Sequence, residues 1–188
     1  MKRKLITLLF LVIVSFTSCD NKDDVDDSKY AEYLVATPIT IAKSEFKNSV
    51  DVISPLPIDE SGKIYAYKEY IFINDKYKGV HVIDNSNPNS PRKIAFIKIA
   101  GNVDISVKDD YLYADSLADL IVLDISNIND IKQVNRLENV LGNSVIWPTA
   151  DFIENRDVDY NTDIIVGWKT VKERRLIEDY EKRRFGED

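Results

Sequence analysis

The sequence has one cysteine, one histidine, one methionine and only six glycines in 188 residues. A single cysteine excludes an internal disulfide framework and any cysteine-built zinc site. A single histidine excludes paired-histidine metal motifs and leaves His81 as the one imidazole a Ser-His-Asp triad would have to use. Neither G-x-x-x-x-G-K-[ST] nor G-x-G-x-x-G occurs, so the usual phosphate cradles are missing. Most catalysis is disfavoured on these grounds, and no cofactor, metal site or catalytic residue is expected. What is present is ordinary globular composition: 44% hydrophobic, 30% charged, and 32 acidic against 25 basic residues for a net charge of −7. The length fits one domain or two small ones.

Long apolar runs are also scarce. The one that stands out, residues 5–16, follows Lys2, Arg3 and Lys4. Twelve residues are too few for a bilayer span, which needs about 20, and fit the apolar centre of a signal peptide. Phe16-Thr17-Ser18-Cys19 then resembles a bacterial lipobox, with Phe where Leu is commonest. The resemblance implies that residues 1–18 are a lipoprotein signal peptide. Cys19 would become the new N-terminus, with a diacylglycerol on its thiol and an acyl group such as palmitate on its amine. Each buried CH₂ contributes about 0.8 kcal/mol, so several chains anchor where one would not. The competing reading is an ordinary secretory signal followed by a stray thiol. Loss of residues 1–18 leaves 22 basic and 32 acidic residues, a net charge of −10. That balance opposes nucleic acid as a partner.

Residues 19–43 are expected to be an acidic tether and linker. Asp20-Asn21-Lys22-Asp23-Asp24-Val25-Asp26-Asp27 reads as a solvated spacer. Lys22-Asp23-Asp24 also resembles the lipoprotein export signal of Bacteroidetes-type bacteria, which implies an outer-membrane, cell-surface location. Asp20 would instead mean inner-membrane retention under enterobacterial sorting. The surface reading is preferred, because the Lys-Asp-Asp pattern and the Asn/Ile/Lys-rich body fit together.

The strongest internal signal is a repeat. Tyr70-Ile71-Phe72-Ile73-Asn74 recurs as Tyr111-Leu112-Tyr113-Ala114-Asp115, 41 positions on. Val80-His81-Val82-Ile83-Asp84-Asn85-Ser86-Asn87 recurs as Leu120-Ile121-Val122-Leu123-Asp124-Ile125-Ser126-Asn127, 40 positions on. A period of about 40 with several short β-rich runs reads as a propeller blade. The strands expected are 64–67, 70–73, 79–83 and 92–99, then 103–107, 111–114, 120–125 and 131–137. Gly79-Val80-His81-Val82-Ile83-Asp84 and Asp119-Leu120-Ile121-Val122-Leu123-Asp124 resemble the LVIVD repeat of bacterial and archaeal surface proteins. The resemblance covers roughly residues 44–140 and implies a β-propeller architecture, with no activity or catalytic residue to carry over. The expected fold class is therefore all-β: a partial β-propeller of about two four-stranded antiparallel blades with a C-terminal charged helix.

Several residues have two readings each. Asp84 and Asp124 close apolar strands and are expected to be turn carboxylates that accept backbone amides. His81, inside a strand, is expected to be a packed or hydrogen-bonded structural histidine. Asn102 and Asp104 precede the strand nearest a propeller axis and are candidate channel-lining residues, or simply a strand-initiating turn. Asp115-Ser116-Leu117 resembles an O-glycosylation acceptor of Bacteroidetes, which makes Ser116 a candidate in an expected exposed connection.

A propeller closes with about 4–8 blades, and residues 44–140 supply two. Residues 141–169 are expected to be an irregular insertion and an incomplete third blade. Residues 170–188 read as a charged helical tail with Val171, Leu176, Ile177 and Tyr180 as a thin apolar stripe. The pattern suggests a truncated relative of a longer propeller lipoprotein; completion by a second copy or a small sandwich-like unit are the alternatives. Two open blades also predict self-association through unpaired edges. The expected function is a lipid-anchored, non-catalytic surface module that presents blade loops to a protein or glycan partner. A surface hydrolase using loop carboxylates, a non-functional fragment and an accessory lipoprotein with no ligand are the competing readings.

Overall fold

The structure is a computed structural model and describes residues 26–142 and 147–186. The leader, Cys19, Lys22, Asp23 and Asp24 lie outside the described residues. Among the described residues no helix is long and apolar enough to cross a membrane.

Two antiparallel sheets form the body. The first blade contains β3 (Ser61–Tyr67), β4 (Tyr70–Asp75), β5 (Gly79–Asp84) and β6 (Arg92–Lys98) in chain order, with β2 (Asp51–Ile53) added outside β6. The second contains β7 (Ile105–Lys108), β8 (Tyr111–Ser116), β9 (Asp119–Asp124) and β10 (Lys132–Leu137). The all-β class and the blade architecture stand as expected. The first sheet has five strands rather than four, because the segment before the repeat supplies β2. The first strands of the two blades, β3 and β7, lie side by side, as the innermost strands of a propeller do.

Register explains the core. Phe72 pairs with Val82, and Asn74 with Val80, so one face of the first blade presents Phe72, Val80, Val82, Ala95 and Ile97. The facing side of the second blade presents Ile105, Val107, Leu112, Ala114, Ile121 and Leu123. These form one buried cluster. At about 1.5–3 kcal/mol for each large apolar side chain buried, this seam is the main cohesive contact of the body.

The other face of the first blade carries Ile73, His81, Phe96 and Ile53 in one row. The connection from β2 to β3 must pass from the outer edge of the sheet to its inner edge, and it crosses this face. Lys93 Nζ donates to the Leu56 carbonyl at 2.8 Å, and the amides of Asp59 and Glu60 donate to Asp75 at 3.0 and 3.1 Å. This strap is why His81 and Phe96 are buried (0% and 2% exposed).

The ends of the chain depart from expectation. Residues 30–42, expected to be linker, form the 13-residue strand β1 (Tyr30–Ala42), followed by the one-turn helix α1 (Lys43–Phe46). The end of the region expected to be an incomplete third blade is the start of β12 (Asp163–Leu176), 14 residues long and paired antiparallel with β1 along its whole length. The two-residue β11 (Phe152–Ile153) joins β1 in parallel. The helical tail is therefore only α2 (Ile177–Phe185). It has no buried residue, yet Tyr180 stacks on Tyr33 of β1 with centroids 4.8 Å apart.

Candidate functional site

The repeat turns are built from their own side chains. Asp84 Oδ1 accepts the Ser86 amide at 3.0 Å, and Asp124 Oδ1 accepts the Ser126 amide at 2.9 Å. Asn87 and Asn127 do the same for Asn89 and Asn129. Both aspartates are thus turn carboxylates, as expected. Hydrogen bonds from Ser86 and then Arg92 hold the Asp84 carboxyl down at about 2, and Ser126 lowers that of Asp124.

Asn102, Asp104, Asp115 and Ser116 come together at the blade junction. Asn102 is fully buried. Its Nδ2 donates to the Asp104 carbonyl (2.9 Å), the Asp115 carbonyl (3.0 Å) and Asp115 Oδ1 (2.7 Å), while its Oδ1 accepts from Asn74 Nδ2 at 2.6 Å. Asp115 Oδ1 also takes the amides of Val103 and Asp104. Burial raises the Asp115 carboxyl above its ordinary value even against these donors. Asn102 therefore does not line an open channel; it ties β4 of one blade to β8 of the next. Asp104 is exposed and pairs with Lys63 at 2.7 Å, across the two innermost strands.

Ser116 was expected in an exposed connection and is not there. The ladder between β8 and β9 runs to Ser116 opposite Asp119, leaving Leu117 and Ala118 as the turn. The Ser116 side chain is buried, and its Oγ donates to the Ala100 carbonyl at 2.8 Å. A glycan acceptor must be reachable, and this hydroxyl is enclosed.

His81 is structural, as expected. Its Nε2 lies 3.0 Å from Asp75 Oδ2, both side chains being almost wholly buried, and its ring packs on Phe96. Burial acts to raise the Asp75 carboxyl. The bond to His81, the amides of Asp59 and Glu60 and the nearby Lys78 outweigh that and bring it below its ordinary value. Among the described residues His81 Nδ1 has no partner. The pair resembles half of a catalytic triad, but a triad needs a nucleophile hydrogen-bonded to the imidazole and open to substrate. Among the described residues no cluster of His, Cys, Asp or Glu is placed to hold a metal ion.

Two features were not foreseen. Arg136 of β10 makes a buried ion pair with Asp119 at 2.7 Å, and its Nη1 donates to the carbonyls of Phe46 and Lys47. That clamps the segment before the repeat onto the second blade. An open cleft of about 860 Å³ lies between the β1–β12 ribbon and the strapped face of the first blade, lined by Ile39, Ile41, Ile53, Phe96 and Val166 among others. Tyr77 closes one side by packing directly on Gly167, where a Cβ would come within 2.1 Å of its ring.

The architecture defines a class: an all-β repeat protein built on two propeller-like antiparallel blades. The particular repeat is the LVIVD repeat, whose family model matches residues 60–95 and 100–132. The chain contains two such repeats, one for each blade. No curated protein matches the sequence. No solved structure matches it either.

Proposed function

We propose that this protein is a lipid-anchored, surface-displayed binding module without catalytic activity. In this reading acyl chains on Cys19 hold it to the outer membrane. Lys22-Asp23-Asp24 directs it to the cell surface, and the acidic tether sets the blades off the bilayer. The observation that carries the binding role is the use made of the repeat's polar residues. Asp84 and Asp124 hold turns, Asp115 and Asn102 hold the seam, and Asp75 and His81 are enclosed beneath the strap. What remains for function is the surface: loops and a sheet face, suited to a protein or glycan partner.

The reading makes two separable claims. Cys19→Ser should move the protein from the membrane to the soluble fraction, and protease added to intact cells should digest the unaltered protein. Continued tight anchoring of Cys19→Ser overturns the lipid claim, and full protection overturns the surface claim. For the non-catalytic claim, turnover on a glycan or peptide panel that is lost in Asp104→Asn would overturn it.

A further inference from the structure

The blades have four faces, and the described residues cover three. One face of each is buried in the seam, and the strap crosses the far face of the first blade. Among the described residues the far face of the second blade has no such cover. It nevertheless repeats, 40 or 41 positions on, the residues that bury the first blade against the second. Phe72, Val80, Val82 and Ile97 are all 0% exposed; their equivalents are Tyr113, Leu120, Val122 and Leu137. Tyr113, Leu120 and Val122 are half-buried, Leu137 is 42% exposed, and Val140 and Leu141 beside them are 53% and 48% exposed. The turn that leads out of each blade is also repeated. Gly101 (φ 75°) is packed beneath Leu117, while a Cβ at Gly142 (φ 73°) would meet none of the described residues within 4 Å. This face is built as a blade-packing surface, and the described residues leave it open.

We propose that the far face of the second blade is a dimerisation surface that takes the same face of a second copy of this chain about a two-fold axis. The occupant follows from what is free. Among its described residues a second copy offers no other open blade face, and a self-complementary patch closes as a two-fold dimer. Charge permits it, since the face carries Lys108 and Lys132 together with Asp124 in one row. Size permits it too. Four strands about 4.8 Å apart and some 20 Å long give about 400 Å² per copy, or about 800 Å² in all. That is the size of a weak, transient interface and implies a weak dimer. The edges are a poorer route, because β10 is bulged between Gln133 and Asn135 and carries Lys132 and Arg136, the devices that discourage edge pairing.

Cysteine substitution tests this in the full chain at its own membrane. The unaltered chain, with Cys19 as its only cysteine, is the blank. Sheets packed face to face lie about 10 Å apart, within reach of a short bifunctional maleimide. Val122→Cys and Tyr113→Cys should each cross-link to twice the chain mass. The rate should exceed that of Ile64→Cys, exposed on β3, by at least roughly tenfold. Adding Val122→Lys to Tyr113→Cys should abolish the product while leaving the circular dichroism spectrum unchanged. Cross-linking no faster than Ile64→Cys overturns the proposal, as does a product of any other mass or a product that survives Val122→Lys. Product formed by the unaltered chain would show a free Cys19 and bear on the lipid claim alone, whereas the comparison with Ile64→Cys bears on the dimer alone.

Discussion

Asn102→Ala tests whether the polar seam holds the blades together. The substitution deletes an amide that makes three donor contacts and accepts one bond, from Asn74. Asp115 Oδ1 keeps the amides of Val103 and Asp104, so it is not stranded. The losses are the bond to the Asp115 carboxylate, the bonds to two carbonyls and the acceptor for Asn74 Nδ2. A bond to a charged group contributes about 1.5–3 kcal/mol and a neutral one about 1, and geometry here is shared, so a loss of about 3 kcal/mol is expected. With a urea slope of about 2–3 kcal/mol/M for a chain of this size, the midpoint should fall by about 1–1.5 M. Far-UV circular dichroism is the suitable signal, because both tryptophans, Trp147 and Trp168, lie outside the blades. Asp104→Asn is the control, since its exposed pair with Lys63 should contribute under about 1 kcal/mol. If Asn102→Ala shifts the midpoint no more than Asp104→Asn, the seam network is not what couples the blades.

Acid should weaken the fold through its turn carboxylates. Asp84, held at about 2 against an ordinary 3.8, contributes stability that is present above 3.8 and is lost as pH falls toward 2. Asp84→Asn should therefore lose less stability than the parent between about pH 4 and pH 2 in urea titrations. Asp115 runs the other way. Its raised carboxyl favours folding below its unfolded value, and that contribution is lost as pH rises through the folded one. Asp115→Asn should accordingly be tolerated at neutral pH, with a urea midpoint near that of the parent. Gly79→Ala places a Cβ 2.0 Å from the Ile97 carbonyl oxygen at φ 144° and should cost about 3 kcal/mol or more in the same titration. Gly142→Ala, strained in φ alone, should cost about 1–2 kcal/mol. Arg136→Met leaves Asp119 buried without its partner and should cost about 3–5 kcal/mol, measured by thermal unfolding.

The blades were legible because their signal is local. Tyr70–Ile73 and Leu120–Leu123 are apolar on both faces and bounded by polar turns, so their length and type follow from covered sheets. The Asp-x-Ser-Asn turns were legible for the same reason: acceptor and donor are two residues apart. Ser116 was misplaced because Asp115, Ser116 and Asp119 have turn chemistry. The actual turn puts Leu117 at φ 56°, a conformation that sequence reserves for Gly or Asn. What permits it is contact across the junction, where Leu117 packs on Gly101.

The ribbon was illegible because its partners are over 120 residues apart. Thr170 to Leu176 is rich in Lys, Glu and Arg, good helix formers, and a helical stripe could be drawn through Val171 and Leu176. The same residues alternate as a strand once Val35 lies opposite Val171 and Glu32 opposite Arg174. Pairing partners thus decide between two periods that the segment tolerates equally. In β1, Pro38 argues against a strand until β11 is seen to cover only Val35 and Ala36, leaving β1 unpaired on one side at the proline. Asn102 follows the same logic. Its type and position made it a candidate for a solvent-facing role, and only the arrival of Asn74 from one blade and Asp115 from the other turns it into a buried tie. Where a residue's partners are its neighbours in sequence, chemistry could be read forward; where they come from another sheet, the fold had to supply them.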